Sequence, residues 1–226
     1  MLPKLVPLEN QSGSSVVDAI PERVTGVFAL EPEHREIWER AKPHLRVRDN
    51  DAHTLYAYGI ARVLCEAVPG ADPAVVLPAI LLHDTGWSRV PEESVLEAIR
   101  PGGGRPDLVL LHEREGVRIA EGILGDLGYR REIIDAVAAI ILTHDSVREA
   151  RSIDDAVVKD ADKVWRVSPH GIDTVMDWFG LEREAANRLC SWRVHEHLHT
   201  DAARLMARGL AAIASVDCLP ERVELG

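Results

Sequence analysis

The chain has 226 residues, 46% hydrophobic and 28% charged, which suits one medium-sized globular domain or one domain with a terminal extension. A formal net charge of -11 at pH 7 argues against a nucleic-acid polymer as partner, which needs clustered Lys and Arg, but leaves room for a small anionic substrate beside a metal. Three widely spaced cysteines without a CxxC pair exclude a zinc ribbon and a disulfide framework.

Residues 1–24 hold Pro3, Pro7, Pro21 and a Gly-Ser cluster and read as an irregular arm. The start MLPKLVPLENQSG is too short and polar for a signal peptide or a membrane span, so no membrane partner is expected and cytoplasm is the default. EPEHREIWERA, residues 31–41, predicts a first helix with Pro32 early in its first turn. From about Asp51 to Ala67, Leu55, Ala57, Ile60, Val63 and Leu64 recur at helical spacing, and Cys65 within this stretch is expected to be buried. PGADP ends that helix and starts the next, with Asp72 as N-cap and Pro73 first. AVVLPAILLHD is apolar on all sides and reads as a buried helix despite Pro78, running into His83-Asp84 and broken by Gly86.

Residues 87–111 are the least regular: Pro91 begins a short helix, and RPGGGRPD is a flexible loop. His112 to Leu127 is amphipathic, with Gly128 as its C-cap. Ile133 to Thr143 predicts another buried helix, ending at His144-Asp145. DDAVVKDADKVWRV is helical, with Val157, Val158, Ala161, Val164 and Trp165 on the apolar side and Asp162 near the edge of that stripe. Residues 181–214 make one or two long helices. No repeat or strand-rich segment interrupts the pattern, so the predicted fold is all-α.

The series His53, His83-Asp84, Asp162 lies at or near the ends of apolar helical segments. An ionised aspartate after the run AILL is costly to bury without a cation or strong hydrogen bonds. Imidazole and carboxylate together suit a borderline divalent ion such as Mn, Fe, Co, Ni or Zn, and one shared metal satisfies all four groups. His112 and His144 sit in similar settings between the dipeptide and the last aspartate, which raises the question of one ion or two.

This pattern resembles the HD-domain superfamily of metal-dependent phosphohydrolases, all-helical proteins with an H…HD…D signature. The resemblance rests on His53 in DAHTLYAYG, His83 and Asp84 in LLHDTGW, and Asp162 in VVKDADKVWRV, and it covers roughly residues 30–170. It implies an HD-type helical bundle over residues 25–170 with C-terminal helices, 171–226, packed on it. Asp162 is favoured as the ligand over Asp160, which is expected to support the site or sit on the helix face. HEREGVRIAEGIL and AAIILTHDS match the relatives that bind two metals. In such a site Asp84 bridges, His53, His83 and Asp162 hold one ion, and His112 and His144 hold the other.

Many relatives read HDIGK, whose lysine reaches the substrate; here the text is HDTGW, with Trp87 at that position. Trp87 is expected to stack on or wall a substrate, leaving Lys163, Arg166 and Arg89 as candidates for an anionic group. The implied reaction is hydrolysis of a phosphate ester of a small molecule or nucleotide, with Asp84 or Asp145 orienting the attacking water and Lys163 stabilising charge. Two other readings stay open. Some HD-fold proteins with the same ligands hold a mixed-valent di-iron pair and use O₂ on C–H, C–C or C–P bonds, and ligand identity does not separate the chemistries. A non-catalytic ligand sensor is the third reading, against which the intact ligand set argues. In the C-terminal helices His195, His197 and His199 read as a solvated helix face, and Trp178 and Trp192 are candidates to pack the extension onto the core or onto a second subunit of a homodimer.

Overall fold

Apolar periodicity and capping residues form the first three helices close to the predicted bounds. The structure, a computed structural model, describes residues 24–99 and 104–224, so the expected arm lies almost wholly outside the described residues. Residues 1–30 and 31–226 form separate units. Within the first, Val27 N–H donates to the Val24 carbonyl in a turn. The second begins with α1 (Pro32–Ala41), which buries Ile37 and Ala41. α2 (Asn50–Ala67) follows, burying Ala57, Ala61 and Leu64 on one face with His53 and Thr54. α3 (Pro73–Leu82) starts on Asp72, whose side chain accepts from Ala74 N–H, with Pro73 in the first turn.

α3 is the centre of the unit: Val75 to Leu82 are all buried, and it packs against α1, α2 and three later helices. Pro78 removes one helical hydrogen bond, yet the helix continues, because packing on every side outweighs the loss. Cys65 is only half-buried, near the helix end where α2 leaves the core.

The stretch expected to be irregular is more ordered than its glycines suggest. Thr85–Arg89 form a 3-10 turn, α4 (Glu92–Ile99) follows Pro91, and α5 (Pro106–Asp126) begins six residues before the predicted start at His112. Pro106 in the first turn starts α5, and Leu108 and Val109 on that turn pack beside Trp87, Val90, Val95 and Ala98, a cluster that pattern alone does not show. Residues 100–103 of the expected loop lie outside the described residues.

α6 (Arg131–Ile141) and α7 (Ile153–Val164) complete the contacts of α3, and Ser152 caps α7 by accepting from Asp155 N–H. A 3-10 turn at Trp165–Val167 leads into α8 (Pro169–Phe179), a helix not separately expected. Its sequence signals are plain in retrospect: Ser168 caps it, Pro169 opens it, and Gly180 ends it in the left-handed region at φ 61. The long stretch after 181 divides into α9 (Arg183–His195) and α10 (Asp201–Val216), and α11 (Pro220–Val223) is one short turn. The described residues are helical and contain no strand, an all-α bundle. No described helix is long and apolar enough to cross a membrane.

Asp160 joins the C-terminal helices to α7. It is fully buried and accepts from His199 N–H, Thr200 N–H and the Thr200 hydroxyl, at 2.7, 2.9 and 2.7 Å. It therefore serves the start of α10, two residues from Asp162 on the same helix. Trp178 packs near Trp165 of the core, whereas Trp192 is 61% exposed.

Candidate metal centre

Two His-Asp dipeptides are built alike. His83-Asp84 follows α3 and His144-Asp145 follows α6, each after a buried apolar helix. His83 Nδ1 lies 2.8 Å from the Ile80 carbonyl, and His144 Nδ1 lies 2.8 Å from the Ile141 carbonyl, three residues back in both cases. A carbonyl partner requires a proton on Nδ1, which leaves each Nε2 directed at the site.

The side chains meet in two groups. In the first, His53 Nε2 and His83 Nε2 are 3.1 Å apart. Asp84 Oδ2 lies 3.5 Å from both, and Asp162 Oδ1 lies 3.4 and 3.7 Å from them. In the second, His112 Nε2 and His144 Nε2 are 3.3 Å apart. Asp84 Oδ1 lies 3.9 and 3.5 Å from them, and Asp145 Oδ2 lies 3.6 and 3.8 Å away. The two oxygens of Asp84 are thus divided between the groups. Ligands about 2.1 Å from a common ion sit roughly 3.0–3.4 Å apart. These spacings, with four inward nitrogens and three carboxylates, fit a divalent transition metal in the first group and leave room for a second ion in the other.

Bringing α5 this close to the dipeptide needs glycine. A Cβ on Gly86 would stand 1.8 Å from the His112 carbonyl oxygen, and one on Gly116 would stand 3.1 Å from Ile141 and 3.3 Å from the His83 carbonyl. Gly86 therefore does more than end a helix; it lets the backbone of α5 cross the 3-10 turn and deliver His112.

Comparison with known proteins agrees with this geometry. The family model for the HD domain matches residues 50–166, more than half of the chain, from the start of α2 into the Trp165 turn. The protein belongs to the HD-domain family. No curated protein and no solved structure matches it.

In this HD domain the aspartates stay ionised. Burial opposes the charge on Asp84, but His83, His144 and His53 outweigh it and hold the carboxyl well below the usual range. Asp162 is likewise held well below that range, burial being outweighed by Arg166 and Lys163. Burial brings His53 and His112 down to about 4, so both are neutral imidazoles at neutral pH. Burial also acts on His144, yet Asp145 and Asp84 carry it up to about 10. Ionised carboxylates and neutral His53 and His112 are the protonation states in which such groups take up a divalent cation.

Trp87 is not the open substrate wall that its position suggests. It is 1% exposed, its ring lies flat on His112 at 3.9 Å, and its Nε1–H donates to Asp84 Oδ1 at 3.0 Å. It fixes the shared carboxylate and one imidazole of the second group. Arg89 is exposed and lines neither cavity at the centre, because the 3-10 turn closes over Trp87 and leaves Arg89 on the outer side. Lys163 and Arg166 do reach the site, with Lys163 Nζ and Arg166 Nη1 at 3.3 and 3.7 Å from Asp162 Oδ2. Both line a cavity of about 300 Å³ that opens beside His144 and Asp145 and is walled by Trp178 and Phe179 of α8 and Leu189 and Val194 of α9.

Three residues at the centre escaped the sequence analysis. Glu113, fully buried, accepts from Asp145 N–H and Ser146 N–H at 3.0 and 2.8 Å and so fixes the turn bearing His144. Its signal was adjacency to His112. Arg48 and Asn50, just ahead of His53 in RVRDND, line a narrow cleft with His53, Asp84, Asp145 and Asp162. Arg48 and Asp49 take positive φ values, 52 and 58, which cost about 1–2 kcal/mol per non-glycine residue. The Arg48 guanidinium lies over Trp178 at 4.8 Å and over Trp87 at 5.6 Å. Its Nε and Nη1, and Asn50 Nδ2, are buried without a partner among the described residues, a loss of about 1–3 kcal/mol for each unpaired group.

Proposed function

We propose that this HD-domain protein is a metal-dependent hydrolase of a phosphate ester of a small molecule or nucleotide. The observation that carries the reading is the shared Asp84: its two oxygens face two His-carboxylate groups, one of which borders a cavity lined by Lys163 and Arg166. His53, His83, Asp84 and Asp162 would hold one ion, and His112 and His144 with Asp84 the second. Bound divalent ions supply Lewis acidity at such a centre.

The chain's own groups supply the rest. Lys163 and Arg166 orient the phosphoryl group and offset charge developing on its oxygens. Asp145, the most exposed carboxylate of the set, orients water entering from the cavity and takes up its proton. Trp178, Phe179 and Val194 exclude solvent around the alcohol portion of the ester.

The test is metal analysis of protein purified without added metal, followed by a panel of phosphate monoesters, nucleotides and cyclic nucleotides. Mn, Co, Ni or Zn with turnover on that panel supports the hydrolase. Iron near two per chain with a near-UV band, and no turnover, would replace it with the di-iron oxygenase reading. Metal without turnover or O₂ consumption would leave a ligand sensor.

A further inference from the structure

The cleft in front of the metal ligands holds more hydrogen-bond donors than the protein satisfies. Asn50 is 2% exposed, and its Nδ2 has no acceptor among the described residues. Arg48 lines the same cleft, and its buried Nε and Nη1 have no acceptor among the described residues. Two indoles face the Arg48 guanidinium, Trp178 and Trp87, and this stacking occupies its faces while leaving its N–H edge in the plane. Packing between indoles accounts for the position of the cation. It does not account for the idle amide of Asn50, nor for two consecutive non-glycine residues held at positive φ.

We propose that Arg48 and Asn50 form an oxyanion subsite that receives the phosphoryl oxygens of the substrate. Planar guanidinium and amide donors suit a tetrahedral oxyanion, and each unpaired N–H gains an acceptor when one binds. The cation comes from the segment before α2 and lies over the Trp87 ring as well as that of Trp178. Arg166, which lines the same cleft, brings a second positive charge to it. The identity of the anion as a phosphoryl group rests on the hydrolase reading; the donor cradle does not.

The experiment titrates inorganic phosphate into metal-loaded protein, by calorimetry and by the fluorescence of the flanking indoles, in the parent and in Arg48→Gln, Arg48→Lys and Asn50→Asp. Metal content is measured on every sample. Phosphate should bind the parent at one per chain. Arg48→Gln should weaken binding roughly thirtyfold at unchanged metal content. Arg48→Lys should fall between, keeping the charge but losing the planar donors. Asn50→Asp, equal in size, should weaken binding by repelling the anion, and it carries the test if Arg48→Gln does not fold. Phosphate that fails to bind the parent, or binds variants of full metal content as tightly, overturns the subsite. Arg48-dependent phosphate binding in a protein without phosphatase activity would keep the subsite and remove the hydrolase. Turnover with KM and phosphate inhibition indifferent to Arg48 would do the reverse.

Discussion

The two halves of the metal centre share a carboxylate and a construction but not an environment. His53, His83 and Asp162 are nearly sealed, with side chains 6%, 0% and 6% exposed; in the other half His112 and His144 are as sealed, at 0% and 1%, but the Asp145 beside them is 28% exposed and faces the large cavity. The sealed half has cations beside it, Lys163 and Arg166 against Asp162; the open half has Glu113 behind it, fixing the turn by its backbone. A sealed ligand group loses little when solvent or substrate changes. An open one can exchange water. In the proposed hydrolase the difference would leave metal retention to the inner half and water entry and turnover to the outer half.

Asp84→Ala should have the largest effect, because it removes the only group common to both halves. Metal content should fall below one per chain, and turnover should drop by about 10³ or more. Retained activity would mean that the centre lies elsewhere. Gly86→Ala should separate the halves: its Cβ has no room against α5, so the protein should lose about 1–3 kcal/mol of stability and bind one metal in place of two. Chemical denaturation with metal analysis measures both. Asp145→Asn should keep the inner ion and lower kcat about 10²-fold, since it touches only the open half. Equal loss of both ions would abolish the distinction. Trp87→Phe should be mildest. It keeps the stack on His112 and loses the hydrogen bond to Asp84, so affinity for the outer metal should weaken about tenfold, read by competition with a chelator.

The ligands were legible because each is a polar residue at the end of, or within, an otherwise apolar helical run, an exception that local pattern exposes. The helices were legible for the same reason, from α1 to α7. What stayed hidden depends on contacts between distant segments. Trp87 looks like a substrate wall until His112, twenty-five positions later, is seen to cover it. Arg48 carries no signal in the sequence pattern, and its place at the centre shows only when α8 sets Trp178 against it. Asp160 looks like a neighbour of a ligand, and its actual partners lie beyond α9. Sequence pattern marks which residues are out of place; only packing shows what they are out of place for.

Asp160 also sets where this protein can be shortened. The family match stops at residue 166, which invites cutting there to isolate a minimal domain. Such a cut would remove His199 and Thr200 and leave a carboxylate in the middle of α7 with no donor, on the helix that carries Asp162. The shortened chain would contain every proposed ligand yet lack the anchor that keeps their helix in register. A shortened chain that keeps these hydrogen bonds to Asp160 must extend at least through Thr200.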